Sequence, residues 1–226
     1  MKLLKKVMIK TFPVLTGYLV LGMGFGILMI KNEFGILAIV AMSLFIYAGS
    51  MQYVGITLLT AGAGVFQTAL TTLMVNARHL FYGISMVEKY RETGIYKPYL
   101  IFALTDETYS LVCNEEKGED SKTYFFLVSL CNHFYWVAGS LIGGVLGNMI
   151  TFDTTGIEFS MTALFLTVFV EQWLGTKQHF PALSGLSCSV LCLFLFGKDK
   201  FLIPTMVLIT VSLLINRKKY GELTKE

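Results

Sequence analysis

The chain has 226 residues, of which 54% are hydrophobic and only 15% are charged, and its mean hydropathy is +0.65. This composition excludes an ordinary water-soluble domain, because too few polar side chains are present to cover a globular surface. The formal net charge of +3 comes largely from basic residues near the two ends. We interpret them as topology signals and not as a nucleic-acid footprint. We therefore expect an all-α integral membrane protein.

The reactive side chains form no recognisable catalytic or metal-binding motif. The four cysteines lie mostly within apolar runs without a Cys-x-x-Cys or Cys/His spacing, so neither a metal site nor a disulfide framework is expected. Ser50, His79 and His133 supply hydroxyl and imidazole groups, but no Gly-x-Ser-x-Gly elbow or paired metal-ligand motif accompanies them. We expect no enzyme activity, no catalytic residue and no cofactor.

The first candidate span is the uncharged stretch 11–30, which follows four lysines. Its length matches the roughly 20 apolar residues that cross the hydrocarbon core as a helix. Lys31 and Glu33 follow it where a signal peptide carries small residues, so we interpret it as a retained span. Four glycines give it a smooth face against which another helix should pack. They are Gly17, Gly22, Gly24 and Gly26.

The longest uncharged stretch of the chain runs over residues 34–77 and supplies two crossings. We predict spans at Phe34–Leu59 and at Phe66–Met86, with a glycine-rich bend at Thr60–Gly64. Within the first of them, residues 47–52 combine small side chains with an amide, where a plain anchor would carry leucines. This composition indicates a helix that is closely approached or interrupted.

The hydrophilic section 88–122 contains a shorter apolar segment, Tyr99–Cys113, with Thr105, Asp106 and Glu107 in its middle. As a full crossing it would place two adjacent carboxylates near the centre of the bilayer, which costs several kcal/mol unless they are paired. We therefore predict a re-entrant or interfacial segment. Thr105 is also suited to be a helix N-cap, with both acids in the first turn, and this purely structural role stays open.

The second half of the chain supplies the remaining spans, which brings the expected total to about seven. They are the run between Lys122 and Asp153, Phe159–Trp173, Gln178–Gly197 and Phe201–Asn216. His133 stands near the start of the first of these spans, beside Trp136. We interpret it as a group of the interfacial aromatic belt and not as a proton relay.

A weak internal repeat is present at an offset of 120 positions, which aligns Gly24 with Gly144 and Gln52 with Gln172. It predicts one polytopic membrane domain, 1–226, that contains a possible 3+3 inverted repeat plus one helix. Its parts are a first copy at about 11–87, a loop at 88–122, a second copy at about 123–197 and an extra helix at 200–216. Ligand sites in such transporters lie where the copies meet.

The orientation signals conflict. The lysines before the first span place the N-terminus in the cytoplasm. After three crossings, the section with Lys89, Arg91 and Lys97 then lies outside, against the positive-inside rule. An eighth crossing through Tyr99–Cys113 removes the conflict but makes the two copies parallel. We favour the inverted arrangement, and the parallel one stays open.

Three motifs in sequence carry a family resemblance. They are Phe-x-Tyr-Ala-Gly-Ser-x-Gln at 45–52, Asn-x-Arg-His-Leu-x-Tyr-Gly at 76–83 and Leu-Thr-Asp-Glu at 104–107. With the length and the order of the spans, they resemble the AzlC family, the large subunits of branched-chain amino acid exporters. Glu171 and Gln172 in the fifth span do not match a motif of that family.

The resemblance implies a multi-pass cell-membrane exporter of valine, leucine and isoleucine. It implies a separately encoded small membrane subunit of the AzlD type as partner and an ion or proton gradient as the driving force. A small-solute channel remains an alternative, because glycine-lined and broken helices also build pores. A membrane scaffold subunit without transport activity is the third possibility.

A zwitterionic substrate needs a partner for each of its charges. Arg78 offers a bidentate fork for a carboxylate, and Asp106 or Glu107 can take the ammonium. Two structural roles compete with this: Arg78 can extend to the interface beside a carbonyl-capping His79, or it can pair with Asp106. Candidate pocket walls are Ile46, Met51 and Met74. The predicted substrate-binding set is Ser50, Gln52, Asn76, Arg78, His79, Asp106, Glu107 and Gln172.

Overall fold

The protein is described by a computed structural model that is helical throughout its regular elements, as the composition predicts. The described residues are 2–76, 78–113, 115, 121–149, 178–197 and 201–216, with single residues between 156 and 174. The helices are α1 (Lys2–Lys31), α2 (Ile36–Phe45), α3 (Gly49–Thr60), α4 (Val65–Asn76), α5 (Arg78–Tyr90), α6 (Lys97–Phe102), α7 (Asp106–Val112), α8 (Ser121–Gly147), α9 (Phe180–Phe196) and α10 (Leu202–Ile215). Backbone contacts separate two units, Met1–Thr162 and Ala163–Glu226, which are treated one at a time.

The first unit is organised around α1 and α8, which pack along a glycine seam made by Gly22, Gly26, Gly139 and Gly143. A Cβ atom on Gly26 would lie 2.2 Å from the Ser140 carbonyl oxygen, and one on Gly143 would lie 2.1 Å from the Met23 carbonyl oxygen. Only glycine allows backbones to approach so closely. The predicted smooth face of α1 is therefore covered by α8, the predicted fourth span.

The seam also fixes the relative direction of the two helices. The contacts advance together along both: Leu19 with Gly139, Met23 with Gly143, and Ile27 with Gly147. Thus α1 and α8 run parallel. An inverted repeat at the 120-residue offset would orient them oppositely, so the favoured inverted arrangement is wrong for this pair. We call the end of the pair that carries Lys6 and Lys10 the lysine end.

The predicted second span, Phe34–Leu59, is a hairpin that enters from the end opposite the lysine end. Along α2, Ile39 lies against Gly144, and further on the Ser43 carbonyl lies 3.3 Å from the His133 Nε2 atom. After an interruption at residues 46–48, α3 turns back, so that Gly55 reaches the Met42 methyl group. The interruption was predicted, but the single crossing was not correct, because α3 reverses direction.

The segment Tyr99–Cys113 forms a second hairpin, which enters from the lysine end. Tyr99 lies beside Phe126, near the start of α8, and Phe102 lies beside His133 further along. After an interruption at residues 103–105, α7 returns along α1 until Glu115 pairs with the lysines there. The segment folds back on itself, as the predicted re-entrant or interfacial segment requires, and its insertion into a membrane remains a prediction. Thr105 is the N-cap of α7 and accepts a hydrogen bond from the Thr108 N–H.

The predicted third span, Phe66–Met86, corresponds to α4 and α5, which are described on either side of residue 77. Gly62 has a φ of 63° in the bend before α4, as its glycine-rich sequence predicts. From Arg78 onwards α5 runs beside α7 toward the lysine end, and the Lys89 ammonium donates to the carbonyls of Val112 and Cys113. The α4–α5 segment therefore ends where α1 begins.

The lysine end is closed by ion pairs between the start of α1 and the end of the second hairpin. The Lys10 Nζ atom lies 2.8 Å from the Glu115 carboxylate, and Lys6 binds the other oxygen of the same carboxylate. The hydrogen bond from Lys10, and to a smaller extent that from Lys6, lowers the pKa of Glu115 below its usual range. Both ammonium groups also lie over the ring of Tyr124 in α8.

In the second unit, α9 and α10 correspond to the predicted sixth and seventh spans, Gln178–Gly197 and Phe201–Asn216. The two helices pack together, and the Ser184 hydroxyl donates to the Ser212 hydroxyl across 2.9 Å. The predicted fifth span, Phe159–Trp173, lies mostly outside the described residues, as does Gln172.

Candidate functional site

The interrupted tips of the two hairpins meet beside the middle of α1 and α8. Gly49, at the start of α3, lies against the Trp136 ring, and that ring contacts Tyr18 edge to face at a centroid distance of 5.4 Å. The Tyr18 hydroxyl in turn lies 2.7 Å from the Thr105 hydroxyl at the other tip. The tips, residues 46–48 and 103–105, therefore approach the same level from opposite ends.

Arg78 joins three helices at this level. Its guanidinium donates to the Ser50 hydroxyl across 2.9 Å and lies 3.0 Å from the Asp106 carboxylate. Ser50 and Asp106 stand in the first turns of α3 and α7, and Arg78 lies in the α4–α5 segment. The Arg78 and Asp106 side chains keep 30% and 29% of their surface exposed. The ion pair is therefore accessible to a small polar molecule.

Acceptor atoms remain available around this ion pair. The second Asp106 oxygen, Oδ1, is buried and has no hydrogen-bond partner within the described residues. The same is true of Asn76 Oδ1 in α4. Buried acceptors are seldom left unpaired in native structures, which makes both atoms candidate ligand contacts. His79, by contrast, places its Nδ1 atom 3.1 Å from the Asn76 carbonyl, and its ring lies edge to face against Tyr82.

Glu107 contacts α1. Its Oε2 atom accepts a hydrogen bond of 2.6 Å from the Tyr18 hydroxyl, which is almost fully buried. Adjacent helical residues project about 100° apart, so the two neighbouring acids serve different surroundings. Sequence reasoning treats them as interchangeable partners for an ammonium group, whereas their contacts differ.

Gln52 holds the first hairpin to α8. Its Oε1 atom accepts from the Trp136 indole N–H across 2.9 Å, and its Nε2 atom lies 3.4 Å from the Ser43 hydroxyl. The side chain is completely buried, and these bonds occupy both ends of its amide. Its predicted contact with substrate would require these bonds to break.

His133 is an internal group and not part of an interfacial belt. It is buried, its Nδ1 atom lies 3.1 Å from the Tyr99 hydroxyl, and its ring stacks on Tyr47 at a centroid distance of 4.2 Å. The belt interpretation failed because a sequence does not show which face of α8 the hairpins cover. Among the described residues, no group of three or more His, Cys, Asp or Glu side chains could hold a metal ion.

Sequence reasoning missed Tyr18, Tyr47 and Trp136 as parts of this centre. Tyr47 stands inside the first family motif, which was a usable signal. Tyr18 carries none, because its importance comes from Thr105 and Glu107, which lie far away in sequence.

These observations define a helical membrane protein with an internal polar site at the meeting point of two interrupted hairpins. Among the described helices, α1 from Leu3 and α8 are long and apolar enough to cross a membrane by length and composition. The model of the AzlC protein family matches residues 13–150. The chain belongs to the AzlC family, which confirms the resemblance carried by the three motifs.

Relatives extend this match along most of the chain. The branched-chain amino acid transport protein AzlC of Bacillus subtilis is 46% identical over 92% of this chain and 83% of its own length. A membrane protein of Helicobacter pylori is 42% identical over 92% of both chains. The inner membrane protein YgaZ of Escherichia coli is 25% identical over 88% of this chain and 82% of its own. No solved structure matches the chain.

Proposed function

We propose that this chain is the large subunit of a multi-pass exporter of branched-chain amino acids, driven by an ion or proton gradient. The name of the Bacillus subtilis relative, a branched-chain amino acid transport protein, supports the substrate class. Membership of the AzlC family supports a single membrane domain. The small AzlD-type membrane subunit is proposed as its partner because the family resemblance implies one. Positive charge supports a cytoplasmic lysine end, because Lys6, Lys10 and Lys89 all contact residues there.

The observation that carries the proposal is the partly exposed ion pair between Arg78 and Asp106, which lies beside the tips. Its two charges are complementary to a zwitterion. The substrate carboxylate would take the place of Asp106 beside the Arg78 guanidinium, next to the Ser50 hydroxyl. The substrate ammonium would take the place of Arg78 beside the Asp106 carboxylate. The free acceptors of Asp106 and Asn76 then complete the ammonium contacts. Neither charge is left unpaired, with or without substrate.

An aliphatic side chain also needs apolar walls. Ile46 stands in the interruption of the first hairpin and is half exposed, whereas Met51 is buried in the first turn of α3. Met74 lies near the end of α4. We assign these three residues to the aliphatic pocket, next to the charged pair.

The test is leucine efflux from vesicles that contain the chain and its co-expressed small subunit. Arg78→Lys should lower efflux by about 10- to 150-fold, because a lost charged hydrogen bond costs about 1.5–3 kcal/mol and an ammonium cannot form the planar fork. Arg91→Lys is the matched control, because Arg91 lies exposed near Glu88 at 3.9 Å. Unchanged efflux by Arg78→Lys would reject the site.

The same vesicles test the partner. Export should require the small subunit, and full export by the chain alone would refute that dependence. The glycine seam is already covered within this chain, so Gly139 and Gly143 are not available to a partner. A Cβ atom on Gly17, in contrast, would meet nothing within 4 Å. Gly17 therefore remains a candidate contact.

A channel is the second candidate, because two hairpins that enter from opposite ends also suit a pore. Saturable leucine exchange across the vesicle membrane supports a carrier. Single-channel current without saturable exchange would support the pore.

A further inference from the structure

Glu107 is one end of a chain of hydrogen bonds that the substrate site does not use. Its carboxylate accepts from the Tyr18 hydroxyl at 2.6 Å, and Tyr18 lies 2.7 Å from the Thr105 hydroxyl. Thr105 donates to the Thr108 hydroxyl at 3.1 Å, which also accepts from the Asn132 amide at 3.0 Å. The chain therefore links α7 and its tip to both α1 and α8.

The surroundings of Glu107 favour a proton as its ligand. The Tyr18 hydroxyl of α1 contacts it, and three further titratable groups interact with it electrostatically: Tyr47 of the first hairpin tip, Tyr82 of α5 and Asp106 of its own helix. Three are phenols and one is a second acid, and that acid pairs with Arg78. A half-buried carboxyl group among hydroxyls can be stable with or without its proton, because each form finds a hydrogen-bond partner.

A proton on Glu107 would reverse the direction of the Tyr18 hydrogen bond. As a carboxylate, Glu107 only accepts, so the single hydroxyl proton of Tyr18 points to it. As an acid, Glu107 donates to the Tyr18 oxygen, and the Tyr18 proton turns to the Thr105 hydroxyl. Thr105 is the N-cap that holds the first turn of α7. Protonation of Glu107 thereby changes the hydrogen bonds of the N-cap at the α6–α7 tip, next to Arg78 and Asp106.

We propose that Glu107 carries the coupling proton of transport, with Tyr18 and Thr105 as positioning residues that transmit its protonation to the α6–α7 tip. This inference rests on the proposed function. Glu107 binds one proton from the more acidic side, where one O–H bond forms, and releases the same proton to the other side. No further reactant is required.

The experiment uses vesicles with the chain and its small subunit, and radiolabelled leucine as the probe. Leucine exchange at equal pH reports substrate binding and movement, whereas leucine accumulation under a pH gradient reports coupling. A one-unit gradient sustains accumulation of about tenfold for one proton per leucine. Glu107→Gln should abolish this accumulation and keep exchange. Tyr18→Phe, which retains the ring against Trp136, should slow accumulation and keep exchange.

Tyr109→Phe is the matched control, because the Tyr109 hydroxyl bonds to Ser85 and does not belong to this chain of hydrogen bonds. It should leave both assays unchanged. Loss of exchange together with accumulation in a well-inserted Glu107→Gln protein would overturn the proposal, and so would pH-driven accumulation by that variant. Absence of exchange in the unmodified protein would instead refute the proposed function itself.

A measurement on the unmodified protein keeps the inference testable if Glu107→Gln does not insert. A pH-sensitive dye inside the vesicles should record proton movement when leucine is added, opposite in direction to the leucine. Leucine accumulation driven by sodium at equal pH, without proton movement, would overturn the proposal.

Discussion

The glycine seam and the hairpin tips are held together in opposite ways. At the seam, backbones of α1 and α8 touch, and a Cβ atom at Gly26 or Gly143 would overlap backbone atoms. At the tips, contact rests on side-chain hydrogen bonds and one ion pair, such as those of Arg78 and Tyr18. Close packing has few alternative arrangements, whereas polar contacts can exchange partners. We infer a fixed frame with two adjustable tips.

The largest effect is expected at the seam. Gly26→Ala places a Cβ atom 2.2 Å from the Ser140 carbonyl oxygen, and neither helix can yield without losing its neighbours. Overpacking of this kind costs about 1–3 kcal/mol, and backbone overlap places this variant at the upper end. Membrane abundance and thermal stability in detergent should both fall.

Gly17→Ala, measured in the chain without its small subunit, is the control in the same helix, because a Cβ atom there meets nothing within 4 Å. Its stability should stay equal or rise by about 0.5–1 kcal/mol, since alanine favours the helix. Equal stability of Gly26→Ala and Gly17→Ala would contradict the close packing of the seam, and with it the distinction between a fixed frame and adjustable tips.

The next effect is on transport, together with a smaller loss of stability than at the seam. Removing one partner of the Arg78–Asp106 pair, by Arg78→Gln or Asp106→Asn, strands a charge at a cost of about 3–5 kcal/mol if the site is fully desolvated, and less at the exposure observed. The double variant should regain membrane abundance but not leucine efflux, because the zwitterion then has no charged partner. Efflux that recovers along with abundance would show that the pair is only structural.

A smaller effect is expected at the lysine end. Because the pKa of Glu115 is lowered in the folded protein, its ion pairs stabilise the fold above the usual pKa of a glutamate and lose that effect as the pH falls through the lowered value. Glu115→Gln should cost about 0.2–1 kcal/mol at neutral pH, since both lysines are largely exposed. Thermal stability of the variant and the unmodified protein should converge in acid; a constant difference would contradict this.

Single cysteines that report topology should change function least. Ile95→Cys precedes the second hairpin and Lys122→Cys follows it, and both should react from the same side of the membrane. Asn32→Cys, at the far end of α1, should react from the other side. An impermeant maleimide applied to intact cells measures this. Reaction of Ile95→Cys and Lys122→Cys from opposite sides would contradict the fold-back and restore a crossing at 99–113.

The sequence predicts the chemistry of the tips better than the path of the chain. Charged and small residues in apolar runs are conspicuous, so Ser50, Arg78 and Asp106 were expected together, and they meet. The fold-back at 99–113 was also readable, because two acids in a short apolar segment disfavour a crossing. Hydropathy failed at Phe34–Leu59, because its length fits a crossing and only contacts with Met42 and Gly144 reveal the reversal.

That reversal also removes the conflict between the orientation signals. With Phe34–Leu59 folded back, the α4–α5 segment is the next to travel the length of the frame, and it brings Lys89 to the lysine end. The basic residues of the section 88–122 then agree with the positive-inside rule, without an eighth crossing. Counting apolar runs could not find this answer, because a hairpin and a span have the same composition.

Tyr47 gives the first tip a property of its own. Its φ of 42° lies in the left-handed region, which costs a residue with a side chain about 1–2 kcal/mol. The ring is held in place by His133 and Phe102. We infer that these ring contacts hold the strained backbone of Tyr47 in place. A rearrangement that separates the Tyr47 ring from His133 would release this strain energy. The released energy would then favour movement of the first hairpin.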